Sequence, residues 1–203
     1  MNEENDNLFQ TMAKLIAAGI DPASREEEIW QRYGETVAVL ILDSSGFSRV
    51  SISHGIVHFL ARLMRIREKA TTIFESHHSK NIHFEADNVF AVFPSVNDAI
   101  ASALEIQEQI YAADLMLTDT ERYQVCIGIG YGQMLYSESL EGYFADEMNS
   151  ASKLGENIAN GGETLLTEAA YKNAESNLVS QFSRRAVEVG GVNLIYYEHQ
   201  FKP

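Results

Sequence analysis

Two aspartates define the chemistry open to this chain. Asp43 ends the apolar run VAVLILD and opens the small-residue segment LDSSGFSR, and Asp87 lies in EADNVFAVF. A carboxylate at a strand end is a hard oxygen ligand suited to a divalent cation. The loop beside Asp43 leads into a helix, whose first N–H groups lack partners within the helix and form an anion cradle. Two carboxylates with such a cradle point to metal-assisted chemistry on nucleotide phosphates. Taken singly, each aspartate has a plainer reading, as a helix cap or a turn residue. Other candidates read as structure. His54 and His58 stand at i and i+4, but the glutamate order of a metalloprotease motif and a third ligand are both missing. His77 and His78 end the same helix, where a cationic imidazole meets the helix C-terminus favourably. Cys126, in YQVCIGIG, is a small buried hydrophobe. The serines of LDSSGFS lack the Gly-x-Ser-x-Gly frame of a hydrolase elbow.

Those aspartates need elements to bring them together. Val37–Asp43 reads as a strand buried on both faces. Gly46 breaks that run, and the spacing predicts a long helix from about His54 to His77, with Ile56, Phe59, Leu60, Leu63, Met64 and Ile66 on one side. Residues 82–93 form a predicted hairpin, with strands at about 81–85 and 88–93 and Ala86-Asp87-Asn88 at the turn. An amphipathic helix follows over 96–112. A polar connection around Thr118–Glu121 then leads to YQVCIGIGYGQML, expected as a glycine-interrupted strand pair. A helix over about 147–158, a short strand at Thr164–Leu166 and a helix at 167–174 precede two terminal strands, 181–189 and 192–199, joined at Gly190-Gly191. The order β-α-β-β-α-β predicts an α+β fold, the ferredoxin-like split βαβ sandwich. Its first and third strands are neighbours, so Asp43 and Asp87 are expected to reach one ion. Ahead of it, Leu8, Met12, Leu15 and Ile16 recur at helical spacing up to Gly19 and Asp21-Pro22. Ser24 with Glu27 then resembles a capping box opening a helix to about Tyr33. Residues 1–34 are therefore expected as a helical extension, with Trp30 as packing anchor, and residues 35–203 as the main domain.

Composition sets outer limits. With 203 residues, 45% hydrophobic and 22% charged, the chain has the apolar mass for a core. Acidic residues number 29 against 15 basic, a formal charge of −14. That balance argues against a nucleic-acid or anionic-membrane partner, which needs clustered Lys and Arg. A small phosphate ligand stays open, because metal ions can supply the positive charge. A single cysteine excludes an intrachain disulfide and a multi-cysteine metal site. The start MNEENDNLFQ is polar and acidic, unlike a signal peptide, and no apolar run approaches the roughly 20 residues of a membrane span. The expectation is a cytoplasmic protein.

Three blocks in order, ILDSSGFSR, EADNVFAVF and FADEMNSASKLGENIANGGETLLTEAA, resemble the class III nucleotide cyclases, the adenylate/guanylate cyclase catalytic domain, over about residues 35–199. The resemblance implies conversion of a nucleoside triphosphate, with ATP foremost, to a 3′,5′-cyclic nucleotide and pyrophosphate. It implies two divalent cations, Mg²⁺ or Mn²⁺, on Asp43, Asp87 and the main-chain carbonyl of Ser44. By the same likeness, the backbone at Ser45, Gly46, Phe47 and Ser48 would hold the terminal phosphates. The sites would lie in a head-to-tail homodimer, the partner supplying Asn149 to orient the ribose and Lys153, in place of the family's arginine, to stabilise charge at phosphorus. Lysine keeps that charge without the planar fork. His83 stands where the family reads the base with lysine, and its neutral imidazole offers one hydrogen bond. Gly142 holds the second base-reading position, with Glu141 adjacent. Ala86 replaces a usual glycine, where a positive φ would be costly. The family's late phosphate lysine has no equivalent near VEVGGVN; Arg184 and Arg185 stand nearest and read first as a solvated strand edge, with a substitute for that lysine as the second reading. The rival expectation is a catalytically inactive cyclase-like module that binds a nucleotide or a protein. A third is a cyclase for cytosine or uracil nucleotides.

Overall fold

A computed structural model describes residues 6–137, 142–189 and 192–203 of the chain. Its centre is an eight-stranded sheet of order β2-β3-β1-β4-β6-β8-β7, with β5 on β4. The first four neighbours come from β1 (Gly34–Ser44), β2 (Asn81–Glu85), β3 (Asn88–Phe93) and β4 (Val125–Ser137). Their order β2-β3-β1-β4 and antiparallel pairings are those of the expected split βαβ. The later strands β5 (Gly142–Phe144), β6 (Glu163–Thr167), β7 (Ser183–Val189) and β8 (Val192–Gln200) extend the sheet, with β6 running parallel to β4. The turn expected at Gly190-Gly191 lies outside the described residues.

Strand alternation divides β1 between two cores. Ala38, Leu40 and Leu42 join the larger one, under α4 (Ile56–Ser76) and α5 (Val96–Ala112), while Val37, Val39 and Ile41 join a smaller one with Met134 and Ala151. Ala151 lies on α6 (Asp146–Ser152), which continues as a π-helical turn over Lys153–Ile158 in place of the regular helix expected to 158. Beyond β6 come the short helices α7 (Glu168–Asn173) and α8 (Ser176–Val179).

The helix predicted from about His54 to His77 is α4, and a further helix, α3 (Phe47–His54), precedes it across Gly55, whose φ of 86° no helix accommodates. Three local expectations are corrected. On α4 the buried set is Phe59, Leu63, Ile66, Ala70, Ile73 and Phe74, whereas Ile56, Leu60 and Met64 are exposed. The glycines of IGIGYG do not interrupt a strand pair, for β4 is one strand paired with β1 along its length. They mark close approach: a β-carbon on Gly128 would lie 2.2 Å from the Ala151 carbonyl oxygen, and one on Gly130 2.7 Å from that of Glu147. Ahead of the sheet, α1 (Leu8–Ala17) is followed by a 3-10 turn at Pro22–Arg25 and then α2 (Glu26–Tyr33). The capping box expected at Ser24 does not form. Asp21 caps the 3-10 turn by accepting from the Ala23 N–H, and the Ser24 hydroxyl donates to the Asp21 carbonyl instead. Among the described residues no helix is long and apolar enough to cross a membrane.

Candidate active site

The end of β1 and the β2–β3 turn meet because β1 and β3 pair in register, Leu42 opposite Val89. That pairing sets Asp43, one residue past Leu42, beside Asp87 in the turn, near enough for each carboxyl to feel the other's charge. Burial pushes the Asp43 carboxyl up to about 7; Asp87 and, further off, Glu156 raise it too, while the hydrogen bond from the Ser44 backbone lowers it. No ion pair among the described residues engages either aspartate. A half-buried carboxyl pair whose burial and mutual repulsion disfavour the charged form has the donor chemistry of a divalent-ion site. Nor do the described residues hold a cluster of three or more His, Cys, Asp or Glu able to bind a metal. A Mg²⁺-type ion that keeps only one or two carboxylates and fills its shell with phosphate oxygens and water fits that limit.

Beside the pair is an open depression of about 340 Å³ lined by Asp43, Ser44, Gly46, Phe47, Ser48, Arg49 and Asp87. Gly46 caps α3 with a φ of 90°, and the first intrahelical bond is from the Val50 N–H to the Gly46 carbonyl. The amides of Gly46, Phe47, Ser48 and Arg49 therefore lack intrahelical acceptors. The Ser45 amide is different, since it donates to the Gln124 carbonyl at 3.1 Å. Of the expected cradle amides, the open ones are thus those of Gly46, Phe47 and Ser48, with Arg49 added, and Ser45 ties the loop to Gln124, just ahead of β4. Phe47 turns its ring onto Phe59, at 4.8 Å between centroids, which roots the cradle in the core.

The turn that carries Asp87 is tightly held. Ala86 adopts a φ of 49°, the left-handed region that costs a residue with a β-carbon about 1–2 kcal/mol. Its carbonyl accepts from the Arg67 guanidinium, which lies 4.8 Å over the Phe84 ring. The Ser44 hydroxyl donates to the Asp87 carbonyl at 3.2 Å and accepts from the buried Tyr123 hydroxyl at 2.7 Å. Burial pushes the Tyr123 phenol up, so it remains a donor.

A second cleft of about 220 Å³ lies along the strands of the hairpin, lined among others by Asn81, His83, Glu85, Phe90, Gly142, Phe144 and Met148. The structure thus brings His83 and Gly142 together, 59 positions apart in sequence. His83 is exposed, its ring 6.5 Å from that of Phe90. Glu141 lies outside the described residues. Asn149 on α6 and Lys153 at the start of the π-helical turn are exposed, and neither lines the Asp43 depression or the His83 cleft. Sequence reasoning gave no part to Arg49, Arg67 or Tyr123. Arg49 stood in the quoted cradle segment and could have been flagged there, whereas Arg67 and Tyr123 lie in unrelated segments and carry no local signal.

The chain superposes on solved structures of nucleotide cyclases. The adenylate/guanylate cyclase/hydrolase from Silicibacter pomeroyi superposes with a TM-score of 0.72 at 22% identity, covering 83% of this chain and 98% of that one. The guanylyl cyclase Cya2 matches with a TM-score of 0.68 at 17% identity, over 81% of this chain and 91% of its own. The catalytic core of a rhodopsin-guanylyl cyclase with converted specificity, in complex with ATPαS, gives 0.67 at 17%, over 82% and 95%. No protein-family model and no curated protein matches the sequence. The chain has the cyclase catalytic-domain fold.

Proposed function

We propose that the protein is a nucleotide cyclase that converts a nucleoside triphosphate, with ATP as the expected substrate, to its 3′,5′-cyclic nucleotide and pyrophosphate. The observation that carries this reading is the Asp43–Asp87 carboxyl pair, set without a neutralising cation beside the open amides of Gly46, Phe47 and Ser48. In the reaction the ribose 3′ oxygen forms a bond to the α-phosphorus, the bond to the pyrophosphate oxygen breaks, and the hydroxyl proton is released. Asp43, Asp87 and the Ser44 carbonyl would hold two Mg²⁺ or Mn²⁺ ions, whose chemistry is to acidify the attacking hydroxyl and neutralise the triphosphate. The cradle amides hold the terminal phosphates by charge-assisted hydrogen bonds. His83 and the apolar walls of its cleft hold the base. Asn149 and Lys153 line neither recess of their own chain, and they act in this reading on the site of a second copy in a head-to-tail homodimer. Residues 35–203 are the catalytic unit, residues 1–34 an extension of it, and the cytoplasm, with its ATP and Mg²⁺, is the place of action.

The test is to incubate the full chain with Mn²⁺ and each of the four ribonucleoside triphosphates and to identify products by mass spectrometry. Cyclic AMP is expected to dominate. Turnover of a pyrimidine nucleotide alone would reassign the substrate. No cyclic product at high protein concentration would remove the enzymatic reading. What remained would be a nucleotide- or protein-binding module, which the side-chain-free Gly142 in the base cleft favours.

A further inference from the structure

We infer that the buried hydroxyl pair Tyr123–Ser44 is a positioning device that holds the Asp87 turn in register with Asp43. The inference rests on the metal reading of the carboxyl pair and adds to it two side chains with no assigned part. Ser44 follows Ala38, Leu40 and Leu42 on the face of β1 that turns into the large core, where alternation calls for an apolar residue. It is instead a serine only 2% exposed. A buried hydroxyl in such a place must find partners or destabilise the fold. Both of its partners lie far off in sequence: Tyr123, 79 positions on, gives it a proton at 2.7 Å, and it gives its own to the Asp87 carbonyl at 3.2 Å. Tyr123 is itself 2% exposed, and its ring leans on Phe59, 6.2 Å away, so its hydroxyl has a fixed origin in the core. The next residue ties the same strand end again, through the Gln124 carbonyl and the Ser45 amide.

The far side of the turn is held by a different group, the Arg67 guanidinium on the Ala86 carbonyl. Two successive carbonyls, those of Ala86 and Asp87, are thereby gripped from two elements, α4 and the end of β1. A turn with its backbone fixed at both peptides presents the Asp87 carboxyl in one place. Without the Ser44 hydroxyl, the Asp87 carbonyl loses its tie to the end of β1, and the strained Ala86 conformation is freer to relax. Tyr123 and Ser44 touch no reacting atom through their side chains; they act through Asp87.

The test measures Mn²⁺ binding to the full chain without nucleotide, by the loss of the free-ion electron paramagnetic resonance signal, alongside thermal unfolding. Ser44→Ala is expected to weaken Mn²⁺ binding about tenfold, as loss of a group that orients a metal ligand commonly does. It also leaves the Tyr123 hydroxyl buried without an acceptor and lowers the melting temperature. Adding Tyr123→Phe to Ser44→Ala removes that orphan, so the melting temperature recovers while Mn²⁺ affinity stays low. Ser102→Ala, at a buried serine that donates to Ala99 within α5, is the control for stability alone and keeps wild-type affinity. Wild-type affinity in Ser44→Ala, or affinity that returns with stability in the double variant, would overturn the positioning role while leaving the metal site intact. A wild-type chain that takes up no Mn²⁺ would overturn the metal reading, and the device with it.

Discussion

The Asp43 corner, at the turn of the hairpin, and the His83 cleft, along its strands, are built on different principles. At the corner, fixed backbone and buried side chains hold each functional group: Ser45 to Gln124, Ser44 to Tyr123 and Asp87, Ala86 to Arg67. The cleft has mostly apolar walls, with Phe90, Phe144 and Met148 beside a glycine and an exposed histidine. Metal and phosphate chemistry is the same for every nucleotide and rewards rigid placement, because misplaced charge forfeits stabilisation where charge develops. Base selection is a difference between similar affinities and can rest on a few exchangeable contacts. Substitutions at the corner should therefore remove turnover, and those in the cleft should redistribute it.

The largest expected effect is at the corner. Asp43→Ala is expected to lower the rate of cyclic-nucleotide formation at least about a thousandfold, since it strips one of two charged ligands from the phosphate site. Lys153→Ala should lose about a hundredfold or more by removing charge at the reacting phosphorus. In a head-to-tail dimer the two defects fall in one site of a mixed pair, and the other site is whole. Mixing the two variants should therefore restore activity to about a quarter of wild type, because half of the dimers are mixed and each has one good site. Absence of any recovery on mixing, with both variants dimeric, would refute the shared-site arrangement.

The contrast also marks what the sequence could disclose. The hairpin was legible to the residue, strands 81–85 and 88–93 matching β2 and β3, and so was α5 over 96–112, because their signals are local: alternation, a turn cluster and a 3.6 period. The approach of Asp43 to Asp87 followed from topology once that order was read. What failed depended on partners elsewhere in the chain. The glycines of β4 looked like interruptions until Ala151 and Glu147 were seen packed against them. Of the expected stripe, Phe59, Leu63 and Ile66 are buried but Ile56, Leu60 and Met64 proved exposed, because an apolar pattern does not say which of two adjacent helix faces meets the sheet. Ser44 gave no sign of its two hydrogen bonds, for Tyr123 lies 79 positions away.

A second and smaller effect tests the corner's electrostatics in the metal-free protein. The Asp43 carboxyl ionises near 3.8 when unfolded and near 7 when folded. Between those values the folded chain binds more protons than the unfolded one, so this group's contribution to stability falls as pH rises from about 4 through about 7. The loss is nearly complete at pH 8, where the folded state holds both charges together, and solvent screening of the half-exposed carboxyl tempers its size. Urea unfolding in EDTA across pH 4–8 should show this decline relative to Asp43→Asn, which lacks it. Mn²⁺ added at pH 8 should restore the loss in wild type alone. A wild-type stability that rose with pH over this window relative to Asp43→Asn would contradict the unneutralised pair.

The smallest expected effect belongs to the cleft and decides whether the contrast is real. His83 can offer a base one hydrogen bond from an exposed ring, worth about 0.5–1.5 kcal/mol net, or roughly two- to tenfold. His83→Ala should therefore raise KM for the preferred nucleotide within that range and narrow its lead over the other purine nucleotide by a similar factor. The kcat should stay within about twofold, because no group at the corner leans on this imidazole and its ring contact is with Phe90 on the same hairpin. Steady-state kinetics with ATP and GTP separate the terms. If kcat instead fell a hundredfold with KM unchanged, His83 would be taking part in the bond-making step. The corner and the cleft would then form one catalytic unit, and base selection would have to be sought elsewhere in the cleft, at Asn81 or Glu85.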